Sequence, residues 1–202
     1  MAIALLFLVF AALLIIGVPV AFALAAAALA ALLYLDLPTI VMVQQISAGT
    51  GSASLIAIPL FIFAGEIMMR GGISERLISL ASSLVGRMRG GLGQVSILSS
   101  LFFGGVSGSA IADVSAVGGT MIPQMVKRGY DRDFAVNVSI TAALVALLVP
   151  PSHNLILFSA AAGGGLSIAD LFAAGIVPAL LMTVAVVITG YVVARKRGYG
   201  VE

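Results

Sequence analysis

Apolar residues run through this chain in blocks too long for the core of a soluble domain, and short polar or Gly/Pro segments mark where each block ends. Residues 2–35 form one such block, punctuated by Gly17-Val18-Pro19. As a straight helix it would measure about 50 Å, against a hydrocarbon core of about 30 Å. The pattern therefore allows one tilted helix kinked at Pro19 or two short spans turning near Gly17. Asp36-Leu37-Pro38 ends the block, and residues 39–50 read as interfacial. A second run, Ser54 to Met69, closes on Arg70-Gly71-Gly72. From Ile73 to Arg89 the period changes. Ile73, Leu77, Leu80, Ala81, Leu84 and Met88 recur at helical spacing opposite Glu75, Arg76, Ser79, Ser82, Ser83 and Arg87. That pattern predicts an amphipathic helix lying in the interface, ended by Gly90-Gly91.

Leu92 to Val126 is a 35-residue apolar stretch broken centrally by Gly104-Gly105-Val106-Ser107-Gly108-Ser109. Arg87 and Arg89 precede it; Lys127, Arg128 and Arg132 follow. Basic flanks mark the cytoplasmic side, so the segment is expected to enter the membrane and return as a re-entrant hairpin. Each arm of about 15 residues would reach roughly 22 Å. The competing arrangement is two complete crossings by short helices. Asp133 to Leu148 is apolar again and ends at Val149-Pro150-Pro151-Ser152-His153-Asn154. The two prolines remove two N–H donors and stop a helix. Apolar character resumes from Leu155 to Ala162, before Gly163-Gly164-Gly165, which makes this a discontinuous span. Ser167-Ile168-Ala169-Asp170 opens the last helix, with Ser167 or Asp170 as its cap. It runs to Val193 and stops at Arg195-Lys196-Arg197-Gly198.

Composition fixes the solvent. The chain has 61% hydrophobic and 9% charged residues, where soluble domains carry about 25% charged; it is read as an integral membrane protein. It has no cysteine and one histidine, which argues against thiol chemistry and a protein-built zinc site. No basic, aromatic-studded patch suggests nucleic acid. A cleaved signal peptide is disfavoured at Met1–Leu35, which lacks a basic n-region and exceeds the roughly 7–15 residues of an h-region.

The two breaks, near 107 and 151, carry the candidate chemistry. Broken backbone at membrane depth is tolerated where it is buried in protein or lines a cavity, and transporters build ion and substrate sites from such joints. Ser107, Ser109, Ser152 and Asn154 supply side-chain oxygens. Pro150 and Pro151 free the carbonyls of Ala146 and Leu147, and the bend frees those near Val149. Asp113 is an intramembrane carboxylate, read either as functional or as the cap of the second hairpin helix. Glu66 stands four residues before Arg70, the spacing of a helical ion pair. His153 is read as a substrate contact or a structural hydrogen-bonding residue. Two other readings remain. Gly105-Val106-Ser107-Gly108 matches the Gly-x-Ser-Gly of rhomboid-type intramembrane proteases, with His153 as general base. The chain could also be a non-catalytic structural bundle.

Several segments together resemble the large membrane subunit of tripartite ATP-independent periplasmic (TRAP) transporters. They are Gly65-Glu66-Ile67-Met68-Met69-Arg70-Gly71-Gly72-Ile73-Ser74-Glu75-Arg76-Leu77, Phe102 to Asp113, Met121-Ile122-Pro123-Gln124-Met125-Val126-Lys127-Arg128-Gly129-Tyr130, Val149-Pro150-Pro151-Ser152 and Ala194-Arg195-Lys196-Arg197-Gly198-Tyr199. They fall in the family's order over essentially the whole chain. The resemblance implies an all-α, elevator-type importer of organic anions such as C4-dicarboxylates or sialic acid, driven by Na⁺ and not an enzyme, in the bacterial inner membrane. It implies Na⁺ held by Ser107 and Ser109 and by the carbonyls of Ala146, Val149 and Pro151, with substrate near Ser109, Ser152 and Asn154. Asp113 and His153 would give polar support. Its partners would be a small membrane subunit and a periplasmic substrate-binding protein.

In family terms 1–72 is scaffold, 73–90 an arm helix, 91–128 the re-entrant hairpin, 132–165 the discontinuous span, 167–197 the final span and 198–202 a cytoplasmic tail. Family members are about twice this length, built as two inverted repeats. The chain thus corresponds to one repeat, with about five spans expected from that symmetry and a C-terminal repeat needed to complete the substrate site. The arrangements considered are a fragment, one piece of a split permease, or self-assembly, which the one-sided basic loops oppose.

Overall fold

The computed structural model describes the chain except for residues 52, 163, 164, 201 and 202 and the side chains of 53 and 54. Gly163-Gly164, read above as the end of the second half-helix, therefore lies outside the described residues, as does the end of the 198–202 tail. All regular structure among the described residues is helical. The chain divides into two compact units, Met1–Ser52 and Ala53–Glu202.

The first unit holds α1 (Ala2–Ile15), α2 (Val20–Tyr34) and α3 (Ile40–Thr50). The block 2–35 is two helices rather than one kinked helix. Gly17 adopts φ +88°, and around it Val18 N–H donates to Leu13 O and Gly17 N–H to Leu14 O, both at 3.0 Å. This is the Schellman closure, whose left-handed residue suits glycine. Pro19 then presets the start of α2, and α1 packs along α2. The same closure ends α2, with Asp36 left-handed at φ +52° and Leu37 N–H donating to Leu32 O at 3.0 Å. Ala23, Ala27 and Ala31, four residues apart, form the buried face of α2.

The second unit begins with α4 (Ala53–Arg70) and α5 (Ile73–Val85). The amphipathic helix expected to reach Arg89 ends at Val85. The chain doubles back there, so that a Cβ on Gly91 would overlap the Gly86 carbonyl. Gly90 takes φ +67° to start α6 (Gly91–Ser107). After α6 comes a return arm of α7 (Ala110–Asp113), a π-turn (Val114–Gly118) and α8 (Gly119–Lys127). That arm packs back along α6, so the chain reverses at Gly108. Then follow α9 (Arg132–Ala143), a 3₁₀ turn (Val145–Leu147), α10 (His153–Ala161) and α11 (Ile168–Lys196). Ser167 caps α11, its hydroxyl accepting from Asp170 N–H at 3.3 Å.

Helix α6 is the axis of this unit and packs against α5, α9 and α11. Val95, Ile97 and Phe103 on α6 join Met121, Met125, Phe134 and Ala142 in one core. Polar groups are buried beside them: Ser96 meets Ser139 at 3.3 Å, and Gln94 Nε2 donates to Val187 O at 3.2 Å. Meanwhile Ile176, Val177, Leu180, Leu181, Val184 and Ile188 on α11 stand about half exposed or more. Serines inside and leucines outside suit a solvent that is itself hydrocarbon. Helix α11, with 29 residues, is long and apolar enough to cross a bilayer by itself; α1, α2 and α6 are apolar but have 14–17 residues.

The ends of α9 and α11 are tied together outside the apolar belt. Arg197 donates to both oxygens of Asp133 at 3.0 and 2.9 Å and to Asp131 at 2.9 Å. The Tyr199 hydroxyl donates to Asp131 at 2.7 Å, and Tyr199 stacks with Tyr130 and Phe134. This clamp holds the last turn of α11 over the first turn of α9.

Candidate functional site

Helix α6 stops at Ser107 because Gly108 turns left-handed, φ +58°, with its N–H returned to Gly104 O at 2.9 Å. Ser109 is extended and caps α7, its hydroxyl accepting from Ala112 N–H at 3.4 Å. Ser109 N–H in turn donates to the Ser107 hydroxyl at 3.3 Å. The cap of the second hairpin helix is thus Ser109. The alternative in which Asp113 caps it is corrected, because Asp113 sits at the far end of α7 rather than before its first turn.

The second break repeats this grammar. Helix α9 ends at Ala143, the 3₁₀ turn tightens the chain, and the Pro150–Pro151 peptide is cis. Ser152 is extended and caps α10, accepting from Leu155 N–H at 3.4 Å. Its hydroxyl also donates to the Leu147 carbonyl, so that freed carbonyl is satisfied inside the joint. Ala146 differs: Pro150 offers it no N–H at i+4, and the Val149 N–H goes to Val145 O at 3.3 Å. Its carbonyl keeps acceptor capacity.

The two breaks meet. A Cβ on Gly104 would lie 2.7 Å from Ala146 Cα and 3.3 Å from Val149 Cβ, and one on Gly108 would overlap the Pro151 carbonyl. Four of the expected ion residues are therefore touched or carried by the same short stretch of hairpin: Ser107 and Ser109 flank Gly108, while Ala146 and Val149 face Gly104. Pro151 sits on Gly108 itself.

Beside the tip opens a cavity of about 210 Å³, lined among others by Glu66, Ser107, Ser109, Ala112 and His153. Ala146, Val149 and Pro151 are not among its walls. His153 is half-buried, with Nε2 buried and without a hydrogen-bond partner among the described residues. Ser107 and His153 share the cavity, but the recorded bonds of the Ser107 hydroxyl are to the Ser109 backbone. Asn154 is exposed on the first turn of α10, away from the cavity lining. Asp113 is 1% exposed. Ser100 faces it from α6, yet neither carboxylate oxygen reaches hydrogen-bond geometry with a described group.

Glu66 does pair with Arg70, Nε to Oε1 at 2.8 Å. Its place in the cavity wall was not legible from that spacing. The signal was the preceding glycine: a Cβ at Gly65 would meet Val106 O at 3.3 Å and Ser107 Cα at 3.7 Å, so α4 comes close to the tip where it has no side chain.

Comparison with known proteins places this architecture. Residues 7–202 match the family described as the tripartite ATP-independent periplasmic transporter, DctM component. The sialic acid TRAP transporter large permease protein SiaM of Vibrio cholerae is 39% identical over 184 residues, which cover 91% of this chain and 43% of that protein. The C4-dicarboxylate TRAP transporter large permease protein DctM of the same organism is 38% identical over 197 residues, 96% and 43% of the two chains. A putative TRAP transporter large permease protein of Haemophilus influenzae is 46% identical over 169 residues, 83% and 39%. The chain spans less than half the length of these curated relatives. By its match over nearly all its residues, this membrane protein belongs to the DctM component family of the tripartite ATP-independent periplasmic transporters.

Proposed function

We propose that the chain forms the first of two inverted repeats of a TRAP large permease and takes part in Na⁺-coupled import of organic anions across the bacterial inner membrane. The observation that carries this reading is the seating of the hairpin tip on the proline joint, Gly108 against Pro151. Two helix breaks in contact put hydroxyls and under-bonded carbonyls together, which is how secondary transporters hold hard cations. The Ser107 and Ser109 hydroxyls and the carbonyls of Ala146, Val149 and Pro151 are the ion's ligands in this reading. The donor set fits: all are neutral oxygens, and Ala146 O has capacity to spare.

Substrate contacts fall to Ser109 and Asn154, with Ser152, expected as a third contact, in a supporting place. Ser152 contributes by holding α10, since its hydroxyl is committed to Leu147 O and Leu155 N–H. The relatives named for sialic acid and C4-dicarboxylates support a carboxylate substrate. A C-terminal repeat completes the site, a small membrane subunit and a periplasmic binding protein complete the system, and about five crossings follow from the repeat symmetry. The elevator reading assigns motion to the hairpin and broken helix.

The test is Na⁺-dependent uptake in proteoliposomes supplied with the second repeat, the small subunit and the binding protein. Uptake should be lost in Ser107→Ala/Ser109→Ala. Uptake that survives both substitutions with its Na⁺ dependence intact would sink the ion site.

A further inference from the structure

A carboxylate stands in the wall of the cavity beside the hairpin tip, outside both the ion set and the substrate set. Glu66 reaches it because Gly65 lets α4 approach the Val106 carbonyl, which leaves Glu66 alongside Ser107, Ser109 and His153. Arg70 binds Oε1 at 2.8 Å. A carboxylate has about four lone-pair sites, so acceptor capacity remains. The Arg70 side chain is 82% exposed and outside the cavity lining, while that of Glu66 is 46% exposed. Of the two paired charges, only Glu66 belongs to the cavity wall. Size decides what such a space takes. Sites for organic ligands run about 300–1,000 Å³, whereas 210 Å³ suits a small ion with several waters of about 30 Å³ each.

We infer that Glu66 makes this cavity a cation-collecting vestibule, which concentrates Na⁺ at the Ser107 and Ser109 hydroxyls. The inference rests on the Na⁺ reading above. Glu66 acts through its charge rather than as a fixed ligand, since a half-exposed side chain already tied to Arg70 is poorly placed to close a coordination shell. Its effect on ion affinity should then be moderate and screened by salt.

The experiment follows Na⁺ binding to the 202-residue chain in nanodiscs of zwitterionic lipid, read as the NaCl dependence of its unfolding temperature. Choline chloride sets the background. Glu66→Gln keeps the size of the side chain and an oxygen for Arg70. It should raise the half-saturating NaCl about fivefold in about 20 mM choline chloride, with the same shift at saturation. In about 500 mM choline chloride the difference should shrink below about twofold. Glu66→Asp should stay within about twofold of the unsubstituted chain throughout, which guards against a folding defect in Glu66→Gln. Equal half-saturation in Glu66→Gln and the unsubstituted chain overturns the vestibule while leaving the ion site standing. A fivefold loss that persists at high salt overturns it too, because Glu66 then acts as ligand or scaffold. If the unsubstituted chain shows no Na⁺ response beyond choline, the ion reading falls and the vestibule with it.

Discussion

Gly108 closes on Pro151. The glycine's left-handed backbone brings its Cα so near that a Cβ would overlap the Pro151 carbonyl and stand 3.1 Å from Ser152 Cα. Two features that lie some 40 residues apart in sequence are thereby brought into contact. The glycine is needed twice, once for its φ and once for the room it leaves.

Gly108→Ala should therefore be costly. A non-glycine residue at this φ costs about 1 kcal/mol, and displacing a packed backbone adds about 1–3 kcal/mol. The expected outcome is a lower unfolding temperature in nanodiscs and loss of any Na⁺-dependent stabilisation. Gly119→Ala is the matched control: nothing lies within 4 Å of its Cβ position, and in a helix alanine is favoured by about 1 kcal/mol. It should match or exceed the unsubstituted chain.

The caps give a second prediction. Ser152 holds the N-terminus of α10 and also satisfies the Leu147 carbonyl, whereas Ser109 caps the four-residue α7. Removing a cap costs about 0.5–2 kcal/mol, and a buried carbonyl left unpaired adds about 1–3 kcal/mol. Ser152→Ala should therefore destabilise more than Ser109→Ala in parallel thermal melts. The reverse order would mean that the joint does not depend on the Ser152 hydroxyl.

These features were unevenly legible in the sequence. Breaks were readable because Gly-Ser and Pro-Pro violate an apolar helical pattern, whereas the pairing of the two breaks around an ion was implied by the resemblance to the TRAP family. The turn at Gly17 was readable as a turn but not as a reversal, since a kink and a Schellman closure begin from the same Gly-x-Pro. The end of α5 was misjudged because helical periodicity continues through Met88, whereas steric closure of Gly91 over Gly86 stops the helix at Val85. Glu66 was hidden for a different reason. An i,i+4 ion pair accounts for the charge by spacing alone, and the place of Glu66 in the cavity wall shows only in the packing of Gly65.

Arg197 clamps the ends of α9 and α11 with bidentate geometry to Asp133 and a further bond to Asp131. Such exposed pairs contribute little to global stability, so Arg197→Met should move the unfolding temperature by less than about 2 °C. Local order should respond more. Tyr199 N–H donates to Ala194 O at 3.0 Å, and Asp131 N–H donates to the Tyr199 hydroxyl at 3.0 Å. Both amides should exchange faster with deuterium in Arg197→Met. Arg197→Lys should give partial protection, because lysine keeps the charge and loses the fork. Unchanged exchange at both amides would show that the aromatic stack of Tyr130, Phe134 and Tyr199 holds this end by itself.

Adjacent glycines at the hairpin provide the sharpest test of the contact between the breaks. At Gly104 a Cβ would lie 2.7 Å from Ala146 Cα and 3.1 Å from Ala146 Cβ; at Gly105 the nearest atoms, Pro150 O and Val149 Cγ1, are 3.8 Å away. Both residues sit within α6, so alanine gains the same helix propensity of about 1 kcal/mol at either. Only Gly104 must push the 3₁₀ turn aside, and overpacking of this kind costs about 1–3 kcal/mol. Gly105→Ala should therefore be neutral or stabilising in thermal melts, while Gly104→Ala lowers the unfolding temperature. Because Ala146 carries the carbonyl that Pro150 leaves without an N–H, Gly104→Ala should also weaken the Na⁺ response, and Gly105→Ala should preserve it. Equal behaviour of the two variants would mean that the hairpin and the proline joint do not pack as closely as 2.7 Å requires, and the shared ion site would lose its geometric basis.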